Sequence, residues 1–170
     1  QWVFGQSTYA FTASGRLFAL ATHDGIWELG EVDRETGRFR TLRQDFDFYE
    51  QIVALDEAVA VVAANPARAK HVRLFHADGS TEILQAADSL PADVALSRPE
   101  SVSWVTADGS QAHGLFYPPV SESYGAPEPE RPPVILKCHG GPTGATSTAL
   151  DARIQYWTSR GYALLDVNYR

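Results

Sequence analysis

The sequence has no methionine, a single cysteine and only two lysines among its 170 residues. With Cys138 alone, no internal disulfide can form, which favours a reducing compartment. Fourteen basic residues against 21 acidic ones leave a net charge of −7, and the lysines, Lys70 and Lys137, stand far apart. Because this composition offers no basic face, we expect no binding to nucleic acid or to an anionic membrane surface. Apolar runs such as 58–64 are much shorter than the ~20 residues that a membrane-spanning helix needs.

The two ends of the sequence differ from ordinary chain termini. The first residue is Gln1 rather than methionine, and Arg170 closely follows an apolar, strand-like run without a terminating turn. We therefore expect the 170 residues to be an excerpt of a longer polypeptide.

A repeat with an offset of 42 residues organises the first half. In each copy an apolar strand is followed by a second strand, a glycine-containing turn and a short third strand, as in antiparallel hairpins. The aligned positions are Leu17, Ala19, Ala21, Val32, Gly37 and Leu42 with Val59, Val61, Ala63, Leu74, Gly79 and Leu84. Four-stranded units with a period of ~40–50 residues are typical of β-propeller blades. Two unrelated β-meanders with similar turns are the alternative.

The pattern changes near residue 97. A predicted hairpin, with strands at 101–106 and 112–117, precedes a surface loop at 118–133 that contains six prolines. The apolar run Val134–Cys138 then predicts a short strand buried on both faces of a parallel sheet. We therefore expect an all-β domain at 1–97 and an α/β domain that begins at 98 and continues to 170.

A helix and a further strand follow this run. Thr148 and Asp151 resemble a capping box, and Leu150, Ile154 and Trp157 recur at helical spacing. Gly161 can end the helix in a left-handed conformation. Because Ala163–Val167 is again apolar, the pattern predicts a βαβ unit with two parallel strands.

The motif that carries chemistry is His139-Gly140-Gly141-Pro142, between the first of these strands and its helix. In α/β-hydrolases a loop at this position supplies one N–H group of the oxyanion hole. Acyl transfer places negative charge on a carbonyl oxygen, and glycines let backbone N–H groups approach that oxygen closely. The alternative is that Gly140, Gly141 and Pro142 only turn the chain, with His139 a structural residue at the strand end.

Several segments together resemble the prolyl oligopeptidase family of serine peptidases, most closely its bacterial acylaminoacyl-peptidase and dipeptidyl-aminopeptidase-like members. The segments, besides the repeats, are 96–100, the 107–109 turn, 117–119, the 139–142 loop, 157–162 and 168–170. The resemblance implies the last blades of a β-propeller followed by the N-terminal part of an α/β-hydrolase domain. It also implies a serine hydrolase that cleaves short peptides from the amino end, under a propeller that admits only small substrates.

The resemblance implies a Ser, Asp, His triad, but no triad residue lies within these 170 residues. Ser101, Ser103, Ser121 and Ser123 lack a G-x-S-x-G context, and His113 lies in an alternating strand. We therefore expect the catalytic residues downstream and the isolated chain to be inactive. Some family members hold the position of His139 with a tyrosine that donates to the oxyanion, so a histidine there either donates through its ring or shapes the loop.

Asn168, Tyr169 and Arg170 follow the second parallel strand, at the edge where such sheets bind ligands. They are candidates for a substrate-side loop, with loop anchoring as the alternative. We expect no metal and no cofactor, a short peptide as the partner molecule, and cytoplasmic residence, while homo-oligomerisation stays open.

Two other functions remain open. A carboxylesterase shares the His-Gly-Gly loop but needs no propeller. A non-catalytic propeller scaffold with a degenerate hydrolase domain is the alternative outside enzyme chemistry, and the downstream sequence decides it.

Overall fold

The computed structural model describes residues 4–23, 25–42, 45–87, 90–91, 94–123, 125–141 and 144–168. It divides into two compact units, Gln1–Asp88 and Ser89–Arg170. The described residues contain twelve strands and one helix, and the strands form three four-stranded sheets. Among them, no helix has both the length and the apolar character that crossing a membrane requires.

The first unit consists of two four-stranded antiparallel sheets, with strand orders β1-β2-β3-β4 and β5-β6-β7-β8. The strands are β1 (Tyr9–Phe11), β2 (Leu17–His23), β3 (Ile26–Val32), β4 (Phe39–Thr41), β5 (Phe48–Leu55), β6 (Ala58–Asn65), β7 (Arg68–Phe75) and β8 (Thr81–Gln85). The predicted repeat is confirmed, because β2, β3 and β4 recur as β6, β7 and β8 in the same order. Gly37 and Gly79 take φ values of +70° and +86° in the equivalent turns, which only glycine adopts without strain.

A single apolar core joins the two sheets of this unit. Phe18 and Leu20 alternate with less buried residues along β2, as expected for a strand with one covered face. In β6, by contrast, small side chains are buried on both faces. The buried core residues are Phe18, Leu20, Leu29, Phe46, Tyr49, Ile52, Val59, Val61, Ala63 and Phe75. Burial of each large apolar side chain contributes about 1.5–3 kcal/mol, so this cluster is the main source of the unit's stability.

The second unit contains a mixed sheet with the strand order β11-β12-β10-β9. Its elements are β9 (Glu100–Val105), β10 (Gln111–Tyr117), β11 (Val134–Cys138), α1 (Ala152–Thr158) and β12 (Ala163–Val167). β9 and β10 form the predicted hairpin, and β12 pairs with β10 antiparallel and with β11 parallel. Because α1 connects β11 to β12, the predicted βαβ unit is confirmed.

Ser97 is tied firmly to this second unit. Its backbone N–H donates to Oε1 of Gln155 at 2.8 Å, and its carbonyl oxygen accepts from Nε2 of the same side chain at 3.0 Å. Both residues are buried. The segment that precedes β9 therefore packs against α1.

Helix α1 begins later than the capping-box pattern predicts. Asp151 is the N-cap residue, with extended backbone and a side chain that accepts from the N–H of Arg153 at 2.9 Å. The prediction that Thr148 begins the helix is wrong, since the helix starts at Ala152. The predicted apolar stripe is also partly wrong. Ile154 is buried, but Trp157 is 40% exposed.

Gly161 adopts φ +88° just after the helix, as predicted for a left-handed end. The burial predicted for the two parallel strands is confirmed only for β12, where Ala163 and Leu164 are 0% and 3% exposed. In β11, Val134 and Leu136 are 53% and 68% exposed and alternate with less exposed residues, so one face of the strand is not covered by the described residues. The prediction of burial on both faces of β11 is therefore wrong for these residues.

Candidate active-site loop

The candidate loop leaves the sheet at the carboxyl end of β11, beside the carboxyl end of β12. The parallel register pairs Cys138 with Val167, so His139 and Asn168 leave the two strands side by side. Loops at the carboxyl ends of parallel strands are where α/β sheets bind ligands. The structure thus brings two predicted site residues together, while Pro142, Tyr169 and Arg170 lie outside the described residues.

Gly140, Gly141 and Gly144 differ in how well their positions would accommodate a residue with a Cβ. Gly141 adopts φ +75°, a conformation that disfavours any residue with a Cβ. A Cβ on Gly144 would lie 2.7 Å from the carbonyl oxygen of Gly140 and 2.7 Å from Nδ1 of His139. A Cβ on Gly140, in contrast, would meet no atom of the described residues within 4 Å. Among the described residues, Gly140 therefore has open space beside it, from which a ligand can approach the backbone.

Asn168 supports the returning part of the loop. Its backbone N–H donates to the carbonyl oxygen of His113 at 2.8 Å, which anchors it to the neighbouring strand β10. Its side-chain Oδ1 accepts from the N–H of Thr146 at 3.3 Å. These two hydrogen bonds support the loop-anchoring role considered for Asn168.

Two residues that the sequence analysis did not select form an ion pair below the loop. Nζ of Lys137 lies 2.7 Å from Oδ2 of Asp166, whose side chain is 2% exposed. The two residues are the fourth residues of β11 and β12 and are paired in the parallel register. The sequence could have predicted this pair, because each of the two apolar strands has one charged residue, of opposite sign, at the same position.

The charge of Lys137 also acts at the start of the helix. Burial raises the pKa of Asp151, but hydrogen bonds from Arg153 and the charges of Arg153 and Lys137 outweigh it and hold the pKa below its usual range. Asp151 is therefore ionised at neutral pH, as an N-cap carboxylate that accepts from a backbone N–H should be.

Of the side chains that could act as nucleophiles, the serines of β9 lie away from the loop, and Cys138 lies next to it. Ser101 and Ser103 lie in β9, separated from β11 by two strands. Cys138 is exposed at the end of β11. No group of three or more His, Cys, Asp or Glu residues within the described parts of the chain is arranged to hold a metal ion. The chemistry that this arrangement offers is backbone N–H donation from a glycine loop.

Solved structures resemble this chain over nearly all of its length. A puromycin-hydrolysing peptidase of Mycobacterium tuberculosis is 34% identical, with a TM-score of 0.90 over 99% of this chain and 26% of that one. A puromycin hydrolase is 29% identical, with a TM-score of 0.90 and the same two coverages. The acylaminoacyl peptidase of Pyrococcus horikoshii, 23% identical with a TM-score of 0.67 over 92% of this chain and 24% of that one, shares the fold.

The chain spans about a quarter of the length of these proteins. No protein-family model and no curated protein matches it.

Proposed function

Since the chain belongs to the prolyl oligopeptidase family of serine peptidases, we propose that the whole protein is a serine hydrolase that cleaves short peptides. In this proposal, the first unit supplies the last blades of a β-propeller, and the second unit, to which Ser97 belongs, supplies the start of an α/β-hydrolase domain. The finer activity is that of an aminopeptidase, a dipeptidyl peptidase or an acylaminoacyl peptidase, each of which acts at the amino end of a peptide.

The blade assignment is supported by the two antiparallel sheets of the first unit. They have the same strand order, follow each other at the 42-residue period and share one core. Propellers are built from four-stranded sheets repeated in this way.

The hydrolase assignment is supported by the mixed sheet of the second unit. It passes from the hairpin of β9 and β10 to the parallel pair of β11 and β12, with α1 as the connection. The glycine loop follows β11 directly, as the oxyanion loop of an α/β-hydrolase does.

The observation that carries the proposal is the open face of Gly140 beside Gly141 with its positive φ. In the proposed mechanism, a backbone N–H of this loop donates to the carbonyl oxygen of the substrate as that oxygen becomes negative. One such donor stabilises the transition state by about 2.7–4 kcal/mol, or about 100- to 1,000-fold in kcat. The ring of His139 shapes the loop by occupying the space where a Cβ on Gly144 would lie, and Pro142 continues the motif.

The nucleophile, its base and the acid of the triad are proposed to lie elsewhere in the whole protein. No serine of these 170 residues stands in a G-x-S-x-G context. The isolated chain is therefore expected to give no labelling with a fluorophosphonate probe of serine hydrolases. Asn168, Tyr169 and Arg170 are proposed to face the substrate side of the same sheet edge.

The test compares Gly140→Ala with Gly125→Ala in the whole protein. Among the described residues, both new Cβ atoms meet nothing within 4 Å, so we expect both variants to fold as the unchanged protein does. If the loop binds the oxyanion, Gly140→Ala lowers kcat on an aminoacyl anilide at least about 10-fold, because its methyl group intrudes where the carbonyl must approach. Gly125→Ala, in the proline-rich loop, leaves kcat unchanged.

The substrate range separates the proposal from its alternatives. A peptidase should show higher kcat/KM on aminoacyl anilides, whereas higher kcat/KM on simple aryl esters would favour a carboxylesterase. If the whole protein is neither labelled by the probe nor active on either substrate, the enzyme proposal fails and a propeller scaffold remains.

A further inference from the structure

The pair of Lys137 and Asp166 is an unusual feature for two apolar strands. Each is the only charged residue of its five-residue strand, and Asp166 is almost completely buried. Lys137 keeps 41% of its side chain exposed, but the carboxylate of Asp166 loses its hydration, and a single partner offsets that cost only in part. Stability by itself is therefore a poor explanation for these two charges.

Lys137 connects the two parallel strands just before the candidate loop. It is two residues before His139 on β11, and its ammonium group contacts Asp166, two residues before Asn168 on β12. Its charge also acts on Asp151, the N-cap of α1. One side chain thus links the strand that enters the loop to the neighbouring strand, and its charge favours the ionised form of the helix N-cap.

The part of the loop that returns toward α1 is held by the residue that follows β12. The N–H of Thr146 donates to Asn168, which follows β12 directly. A shift of β12 relative to β11 would therefore move the returning part of the loop, and with it Gly144, which lies so close to the Gly140 carbonyl oxygen that a Cβ on Gly144 would be 2.7 Å from it.

We propose that Lys137, through its ion pair with Asp166, is a positioning residue that holds the backbone of the His139–Gly141 loop in register with β12. The proposal rests on the function proposed above, because the donor to be positioned is the backbone N–H of that loop. Misplacement of a reacting group by about 1 Å can lower a rate about 100-fold. We expect substitution of Lys137 to lower kcat far more than it changes KM.

The test uses the whole protein and variants that separate position from stability. Lys137→Met leaves the Asp166 carboxylate buried without its partner, and Lys137→Arg keeps the charge. Lys137→Met combined with Asp166→Val replaces both charges by apolar side chains, which should restore the melting temperature. Lys70→Met breaks the exposed pair between Lys70 and Glu50 in the other unit and is the matched control.

Two readouts are recorded for each variant. One is kcat and KM on an aminoacyl anilide, and the other is hydrogen exchange in peptides that cover 139–151. For the double variant we expect a wild-type melting temperature, a kcat lowered about 10- to 100-fold with KM within about twofold, and faster exchange in the loop. Lys137→Arg should keep most of the activity, and Lys70→Met should match the unchanged protein in both readouts.

A double variant that regains both wild-type kcat and wild-type loop exchange would overturn the proposal, because the pair would then serve stability alone. The exchange readout does not need activity. If loop exchange rises in the double variant but the unchanged protein hydrolyses neither anilides nor esters, the proposed function fails while the positioning of the loop by Lys137 stands. If loop exchange does not rise, the positioning inference fails whatever the activity.

Discussion

Gly144→Ala is the substitution in the candidate loop with the most definite steric consequence. The new Cβ would lie 2.7 Å from the Gly140 carbonyl oxygen and 2.7 Å from Nδ1 of His139. Nonbonded contacts of carbon become favourable only near ~3.5 Å, so each neighbour would have to move by about 0.8 Å. Since one of these atoms belongs to the backbone, the variant must displace the loop itself and not only a side chain.

The size of the effect follows from the cost of adding a methyl group to a packed site. Overpacking of this kind costs about 1–3 kcal/mol. With about 1.4 kcal/mol for each factor of ten, local opening of the loop should become about 5- to 150-fold more frequent. A displaced Gly140 would also lower kcat by up to about 100-fold, if the loop backbone binds the oxyanion.

The assay is hydrogen exchange of peptides covering 139–151 in the whole protein, with kcat measured in parallel. Gly125→Ala is the control, because its Cβ would meet no described atom within 4 Å and exchange in the 139–151 peptides should not change. The reasoning is refuted if Gly144→Ala shows wild-type exchange in these peptides, since the loop would then have room for a methyl group.

Three further substitutions test other parts of the structure. Gln155→Leu leaves the buried N–H and carbonyl group of Ser97 without their partners, and should lower the free energy of unfolding by about 2–4 kcal/mol in urea titrations. Tyr49→Phe should be neutral or stabilising in the same assay, because the buried Tyr49 hydroxyl has no hydrogen-bond partner among the described residues; a loss above about 1 kcal/mol would contradict this. The hydrogen bond from Arg16 holds the pKa of Glu31 below its usual range despite partial burial, so Glu31 stabilises the fold above its unfolded pKa and this contribution is lost as pH falls through the lower, folded pKa. Melting temperatures measured between about pH 3 and 7 should thus show a smaller acid-induced decrease in Glu31→Gln than in the unchanged protein.

The features that could be predicted from the sequence depend on residues close together in the chain. The 42-residue repeat and the turns at Gly37 and Gly79 follow from strand alternation and turn chemistry, and the structure confirms both. The parallel pair of β11 and β12 was also predictable, because a helix between two apolar runs favours that connection.

The start of the helix could not be decided locally. Thr148 and Asp151 are both good N-cap residues, and the pattern of apolar side chains favoured the earlier start. The helix instead turns Gln155 inward, where its amide hydrogen-bonds to the backbone of Ser97, 58 residues away in sequence. The polar Gln155 is therefore buried because of a contact with a distant residue, which the apolar periodicity of the helix cannot predict.

The candidate site, too, has features that the sequence predicts and features that only the tertiary structure shows. The His-Gly-Gly motif and its place after a strand are properties of the sequence alone, because a glycine turn between strand and helix is local. Only the tertiary structure decided that Gly140 faces open space while Gly144 is packed against it, and that Lys137 meets Asp166 beneath the loop. The physical reason is that steric room and charge pairing depend on which distant segments the fold brings together, and residue order along the chain does not specify those distances.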